Sequence, residues 1–225
     1  MRAKILLLLS AALIPASITI DFLLVPSSTG NLAMQYNPIF YLHIPVAWIA
    51  LFGFVIVFIA GIAYLRTRHF FWDNVGSAAA ELGIVFTTLF LLTGSIWGKS
   101  EWGVWWTWEA RLTSSLVLWV IYIAYLLLRA YVPESEQRAR YSAVFGIIGF
   151  IDVPIVILTL FVARKVHPGD VAFQLDQPQM IAALATGVVA FSLLFLALLF
   201  FRVHLKEDEI EVKRLKSLSE EMESD

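Results

Sequence analysis

Five of the chain's eight tryptophans lie within fifteen residues, between Trp97 and Arg111. They are Trp97, Trp102, Trp105, Trp106 and Trp108. Indole rings collect at membrane surfaces, but such a belt accounts for only one or two tryptophans at the end of a span. Five in one connection indicate a flat apolar platform, with a heavy interfacial belt as the alternative.

The spacing within this stretch predicts a shared face. If residues 102–109 form a helix, four positions follow the pattern i, i+3, i+4 and i+7 and point to one side. These positions are Trp102, Trp105, Trp106 and Glu109. A face of this kind could cover a large planar ligand.

The composition is that of an integral membrane protein. The chain is 60% hydrophobic and 15% charged, whereas a soluble domain carries about a quarter charged residues. A net charge of −2 and the lack of a glycine-rich phosphate loop give no reason to expect nucleic-acid or nucleotide binding. The absence of cysteine excludes disulfides, thiolate catalysis and iron–sulfur clusters. Any metal must therefore be held by His, Met or carboxylates.

Six apolar runs must position the tryptophan stretch. They cover about residues 5–25, 43–65, 78–96, 112–128, 142–163 and 181–203. Each is long enough for a membrane span, and Pro45 is expected at the start of the second. The first run could also be a cleavable signal peptide, but its length favours a spanning helix. The sequence thus predicts an all-α transmembrane domain, 1–203, and a charged tail, 204–225.

Six spans place both termini on one side of the membrane. The termini and the loops after spans 2 and 4 hold twelve Lys and Arg residues. The loops after spans 1, 3 and 5 hold four. By the positive-inside rule both termini are cytoplasmic. His43, the tryptophan loop between spans 3 and 4, and His167 are then on the outer face, whereas His69 and His204 are on the inner face.

Haem matches this set of side chains. Tryptophans would cover the ring, and His43 and His167 are the best candidates for axial iron ligands. Each histidine has a plainer explanation, His43 as an interfacial residue bonded to a carbonyl and His167 as a solvated turn residue. Arg111 is the preferred partner for the haem propionates, although it could be a snorkelling anchor. Glu109 could favour the start of span 4 through the helix dipole or pair with Arg111.

Asp152 is predicted near the middle of span 5, where a charge costs about 2.5 kcal/mol or more. One interpretation is that a protonated Asp152 caps the carbonyl that Pro154 frees. The other is that Asp152 contacts a partner subunit or a polar path.

Two segments, Trp97-Gly98 and WGVWWTWEARLT at 102–113, resemble the tryptophan-rich signature of the haem-handling proteins of cytochrome c maturation. The chain is most similar to the CcmC family, the haem exporter or haem-delivery protein C. LHIPVAW at 42–48, IDVPIV at 151–156 and the His167 loop resemble its other landmarks, and the likeness extends from about residue 8 to 203. One departure is Glu109, where the family usually has aspartate.

The resemblance implies a non-enzymatic component of the bacterial inner membrane. It would hold haem b, non-covalently and transiently, on the periplasmic face and deliver it to a CcmE-type haem chaperone. Its partners would be an ABC ATPase subunit, a second multi-span subunit and a small single-span subunit, of the CcmA, CcmB and CcmD types. The alternatives are a haem lyase of the same superfamily, acting on apocytochrome c, and a cofactor-free structural or transport protein of the membrane.

Overall fold

The computed structural model of the chain describes residues 2–24, 37–162, 175 and 178–224. Regular structure in these residues is entirely helical, which confirms the all-α part of the predicted fold class. The helices are α1 (Arg2–Leu24), α2 (Pro38–Thr67), α3 (Phe70–Trp102), α4 (Ala110–Tyr131), α5 (Ser135–Gly149), α6 (Asp152–Val162) and α7 (Pro178–Ser224). Helix α7 runs through residue 204 into the charged tail.

Five helical segments of the described chain are long and apolar enough to cross a membrane. They are Pro38–Thr67, Phe70–Trp102, Ala110–Tyr131, Ser135–Thr159 and Pro178–Met222. Helix α1 carries a shorter apolar stretch, Ile5–Ile20, and packs along α7. The chain is thus a multi-span membrane protein, and the six predicted runs correspond to these five segments and α1.

Helices α2 and α3 begin well before their predicted apolar runs, because polar caps precede those runs. The side chain of Asn37 accepts a hydrogen bond from the Ile39 N–H at 3.2 Å, and Pro38 follows at the first helical position. Pro45 therefore lies inside α2 and not at its start, so that expectation was wrong. Helix α3 begins after His69, whose Nδ1 accepts from the Phe71 N–H at 3.2 Å.

Small residues let α2 and α3 approach closely. The nearest atom to a Cβ added at Gly53 would be Gly83 Cα, at 3.1 Å. A Cβ added at Gly83 would lie 2.6 Å from the Phe54 ring. On its other side the Phe54 ring stacks on Tyr122 of α4, with centroids 3.7 Å apart. This packing, typical of membrane helices with small residues at their interface, sets the register of α2 against α3.

The fifth predicted span is broken near its middle. Ile151 N–H donates to Ile148 O at 3.1 Å and Val153 N–H to Phe150 O at 3.0 Å, so a tight turn separates α5 from α6. Asp152 is the first residue of α6, and its Oδ2 is buried without a hydrogen-bond partner in the part of the chain that is described. Pro154 deprives the Phe150 carbonyl of its helical donor, and that carbonyl accepts from Val153 N–H instead. Both interpretations of Asp152 stay predictions.

Ion pairs anchor the first half of α3. Asp73 accepts two hydrogen bonds from the Arg129 guanidinium of α4, at 2.5 and 2.9 Å. Glu81 accepts from Arg202 Nε at 2.6 Å and from Lys206 Nζ at 2.7 Å, both on α7. These contacts tie three helices together at the end of α3 opposite Trp97.

We expect the Asp73–Arg129 pair to be strongly coupled because both side chains are largely buried. Asp73→Ala or Arg129→Ala alone should lower the free energy of unfolding by about 3 kcal/mol, since each leaves an unpaired buried charge. The double variant should lose clearly less than the sum of the two. Unfolding in detergent micelles measures all three, with exposed Arg140→Ala as the control; additive losses would contradict the coupling.

Candidate functional site

The ends of three helices, α2, α3 and α7, meet around Trp97. A buried cluster there comprises Phe40 and Tyr41 at the start of α2, Trp97 near the end of α3, and Met180 and Ala183 at the start of α7. The side-chain amide of Asn37 donates to Ser100 Oγ at 3.0 Å and to Glu101 Oε1 at 2.7 Å. These bonds hold the start of α2 against the end of α3, and α4 begins after the short connection that follows.

His43 lies inside this end of the bundle. Its side chain is 6% exposed, and its ring lies between Phe90 and Trp97, with centroid distances of 5.0 and 5.4 Å. Its Nδ1 is 3.0 Å from Thr93 Oγ1. A Cβ at Gly94 would lie 3.0 Å from His43 Cε1, closer than ordinary van der Waals contact, so a larger residue there would press on the imidazole. His43 and Trp97 thus share one site, and the partner of His43 is a hydroxyl, not the carbonyl that was considered.

The connection after α3 is not helical. Gly103 has φ 75°, a left-handed conformation that favours glycine, and its N–H donates to Lys99 O at 3.2 Å. The chain stays extended or bent until α4 begins at Ala110. The prediction of one helical face over residues 102–109 was therefore wrong, because Gly103 ends the helix directly after Trp102.

The five tryptophans instead divide into an inner and an outer set. Trp97 is 3% exposed and its ring lies 5.9 Å from that of Trp102. Trp106 is half-buried and meets Trp108 edge to face at 5.7 Å. Trp108 and Trp105 are 77% and 59% exposed. Trp97 packs against His43 and Trp102 packs against Trp97, whereas Trp105 and Trp108 form an apolar edge at the surface.

A narrow cleft separates the end of α3 from the tryptophan connection. Its lining consists of Gly94, Gly98, Trp102, Val104, Trp105, Trp106, Thr107 and Leu112. Gly94 belongs both to this cleft and to the contact surface of His43. Gly94 is therefore shared between the cleft and the surroundings of the imidazole.

Buried hydrogen-bond donors near this cleft have no partner in the part of the chain that the structure describes. Arg111 is 9% exposed, and its Nε and Nη2 make no hydrogen bond within the described residues. Trp106 Nε1 and Thr107 Oγ1 are also buried and also lack a hydrogen-bond partner among the described residues. Buried donors without partners are rare in folded proteins and mark places where a water, an ion or a ligand binds. A guanidinium in this state fits a carboxylate.

Glu109 occupies the N-cap position of α4 and makes no side-chain capping hydrogen bond. Burial raises the pKa of the Glu109 carboxyl, and the positive charge of Arg111 opposes this shift. The charge of Arg111 also acts on His43. The charge of Arg111 therefore acts on both Glu109 and His43 at this end of the bundle.

His167, together with Arg164 and Lys165, lies outside the described residues. The structure therefore places one of the two predicted iron ligands. Leu175, eight residues after His167, packs against the Trp97 cluster.

Sequence reasoning missed three residues of this site, namely Asn37, Thr93 and Gly94. One signal was available for two of them, because Thr93 and Gly94 precede Trp97 by four and three positions and so lie on its face of a helix. Asn37 could have been found as an N-cap before Pro38.

Comparison with known proteins gives a consistent result. A family model described as Heme exporter protein C matches residues 2–221. The chain is 36% identical to Heme exporter protein C of Bradyrhizobium diazoefficiens over 80% of this chain and 69% of that protein. It is 31% identical to the protein of that name from Rhodobacter capsulatus, over 81% of this chain and 76% of the other. The Escherichia coli K12 protein of that name is 31% identical, over 73% and 68%.

We expect Gly94→Ala to displace the His43 ring, because the added methyl would lie 3.0 Å from Cε1. Such overpacking typically costs about 1–3 kcal/mol of stability. Gly76→Ala is the matched control on the same helix, since its Cβ would make ordinary contacts with Ala60 at 3.4 Å and Tyr125 at 3.8 Å. Thermal unfolding and the NMR signals of His43 report both variants; equal behaviour would contradict the tight fit at Gly94.

Proposed function

The chain belongs to the haem exporter protein C family, and from this membership we propose that it holds haem at the outer end of the bundle for transfer to a haem chaperone. The transfer serves the biogenesis of c-type cytochromes. The observation that carries the proposal is the buried His43, packed against Trp97 beside a guanidinium without a hydrogen-bond partner among the described residues.

His43 is the first proposed iron ligand. Among the described residues, hydrogen bonding occupies Nδ1 and leaves Nε2 without a protein partner. Neutral imidazole binds haem iron through one ring nitrogen while the other is oriented by a second bond. His167 is the proposed second ligand. The packing of Leu175 against the Trp97 cluster supports this proposal, because Leu175 is only eight residues from His167 in the sequence.

The tryptophans form the proposed surface for the porphyrin. Trp97 and Trp102 would contact the inner part of the ring, and Trp105, Trp106 and Trp108 its outer edge. An apolar edge exposed at Trp105 and Trp108 is consistent with cargo that must leave, because a fully enclosed ring could not pass to another protein. Haem is thus cargo, held without a covalent bond.

The propionates are assigned to the donors beside the cleft. Arg111 offers Nε and Nη2 on one edge of its guanidinium, which suits a carboxylate bound through two parallel hydrogen bonds. Trp106 Nε1 and Thr107 Oγ1 provide further donors in the neighbouring residues of the chain. Glu109 would hold Arg111 in place through its charge and favour the start of α4.

The proposed setting is the bacterial inner membrane, with the haem site facing the periplasm. The distribution of Lys and Arg along the sequence supports this orientation. The chaperone would be of the CcmE type. The chain has no phosphate-binding loop, so ATP hydrolysis would belong to a CcmA-type partner, alongside subunits of the CcmB and CcmD types.

The visible spectrum of the purified protein tests the two ligands. Co-expressed with its chaperone, the wild type should show a low-spin haem spectrum, because two imidazoles give a strong axial field. His43→Ala and His167→Ala should each weaken this spectrum or convert it to high spin. His204→Ala, at an exposed position on α7, is the control and should leave it unchanged. A wild type without haem would favour the cofactor-free alternative, and haem found covalently attached to apocytochrome c would favour the lyase.

Haem affinity tests the role of Arg111. Arg111→Gln removes a charge-assisted hydrogen bond of about 1.5–3 kcal/mol, so the dissociation constant should rise by roughly 10- to 100-fold. Arg111→Lys should recover only part of this loss, since an ammonium cannot form the two parallel bonds. Titration with haem measures both variants against Arg140→Gln, an exposed control on α5. Unchanged affinity in Arg111→Gln would remove the propionate assignment.

A further inference from the structure

We propose that Thr93 is a positioning residue that holds His43 in the tautomer with the proton on Nδ1 and the lone pair on Nε2. The inference deepens the proposed function, since it rests on His43 as the nitrogen ligand of the haem iron. Neither the tryptophan motif nor the predicted ligand set includes Thr93. Its role follows from three hydrogen-bond distances at one oxygen atom.

The Thr93 hydroxyl has one proton to donate. Its Oγ1 lies 2.8 Å from Leu89 O and 3.2 Å from Phe90 O, and both carbonyls are acceptors only. The proton is therefore directed to the backbone of its own helix. Towards His43 Nδ1, 3.0 Å away, Oγ1 can offer only a lone pair. The hydrogen in this contact must come from the imidazole, which places it on Nδ1.

The opposite assignment would place the hydroxyl proton on the His43 side. The bonds to the Leu89 and Phe90 carbonyls would then be lost, leaving the short 2.8 Å contact between two lone pairs. Close contact of two acceptors in an apolar bundle is unfavourable, because no water screens it. With Nδ1–H as donor, the hydroxyl proton stays with the backbone carbonyls, chiefly that of Leu89 at 2.8 Å, and Oγ1 accepts from the imidazole.

The surroundings of His43 also fix the orientation of the ring. Phe90 and Trp97 contact the imidazole, and Gly94 leaves just enough space at Cε1. A ring rotated by half a turn would exchange Nδ1 for a carbon and lose the bond to Thr93. Packing and hydrogen bonding therefore select one orientation, and Nε2 remains the nitrogen free to bind iron.

The group that accepts the hydrogen bond from His43 Nδ1 is a neutral hydroxyl, and its neutrality affects how tightly His43 would hold haem. A hydrogen bond at Nδ1 increases the basicity of Nε2, and a carboxylate does so more strongly than a neutral acceptor. Thr93 therefore orients His43 while keeping it a moderate donor. A ligand of this kind binds haem in defined geometry and still allows release to the next protein.

Three variants separate positioning from packing. Thr93→Val keeps the branched shape and removes the acceptor, whereas Thr93→Ser keeps the hydroxyl. Thr87→Val is the matched control, because Thr87 Oγ1 makes the same kind of backbone bond, to Gly83 O at 2.7 Å, on the same helix. Thr87→Val therefore reports the cost of losing a backbone-bonded hydroxyl without any contact to His43.

The first measurement uses the haem-free protein in detergent with ¹⁵N-labelled histidine. NMR of the ring nitrogens should show His43 as the Nδ1–H tautomer in the wild type, in Thr93→Ser and in Thr87→Val. Thr93→Val should show a mixture or the other tautomer. If Thr93→Val retains a pure Nδ1–H tautomer, the assignment of Thr93 is wrong, whatever haem does.

The second measurement uses haem titration and redox potentiometry. Thr93→Val should weaken haem binding by roughly 10-fold or more and raise the reduction potential, because a less basic Nε2 stabilises ferric iron less. Thr93→Ser should restore both values, and Thr93→Val should have no further effect in a His43→Ala background. An equal loss of affinity in that background would overturn action through His43.

Together the two measurements show whether the ligand role of His43 or the positioning role of Thr93 is wrong. If the haem-free tautomer depends on Thr93 but His43→Ala binds haem like the wild type, the proposed ligand role of His43 fails and the tautomer assignment stands. If His43 is required for haem but Thr93→Val changes neither the tautomer nor the potential, the proposed function stands and Thr93 is only a packing residue.

Discussion

A lipid bilayer offers no hydrogen-bond partners, so the polar groups of a membrane bundle must be matched within the protein or by a ligand. Helix α3 follows this constraint along its length. Asp73 pairs with Arg129, Glu81 pairs with two cations of α7, and Thr87 donates to its own helix. Arg111 is the exception among the buried guanidinium groups, because two of its nitrogens have no partner in the described chain. These two nitrogens are the donors proposed above to bind an anionic ligand.

Helix α3 connects this site with the rest of the fold. Asp73 and Trp97 are 24 residues apart on one unbroken helix, a distance of about 36 Å at 1.5 Å per residue. Near its middle Gly83 accommodates the Phe54 ring of α2, so a shift of either helix would cause a steric clash. The same register places Thr93, Gly94 and Trp97 around His43. The packing of the core and the geometry of the site therefore depend on one interface, between α2 and α3.

The expectations that failed were local, and each failed for an identifiable reason. A helix over residues 102–109 satisfied the spacing of the tryptophans, but the left-handed Gly103 ends α3 before that pattern can form. Pro45 was placed at a helix start because it opened an apolar run, but Asn37 and Pro38 form a better cap seven residues earlier. Apolar runs identify the part of a helix that lies in lipid, whereas capping residues determine where the helix begins.

The sequence by itself determined that this is an all-helical membrane protein and which of its segments are apolar, and it predicted histidines and tryptophans as the residues that would hold a planar ligand. Its motifs also indicated the family. Only the tertiary structure decided that His43 meets Thr93, fifty residues away, that Gly94 makes room for the imidazole, and that Arg111 is buried. The reason is physical: α2 is apolar on all sides, so no hydrophobic stripe shows which face of it turns inward. That rotation is selected by the fit of side chains on neighbouring helices, which the order of residues along one chain does not display.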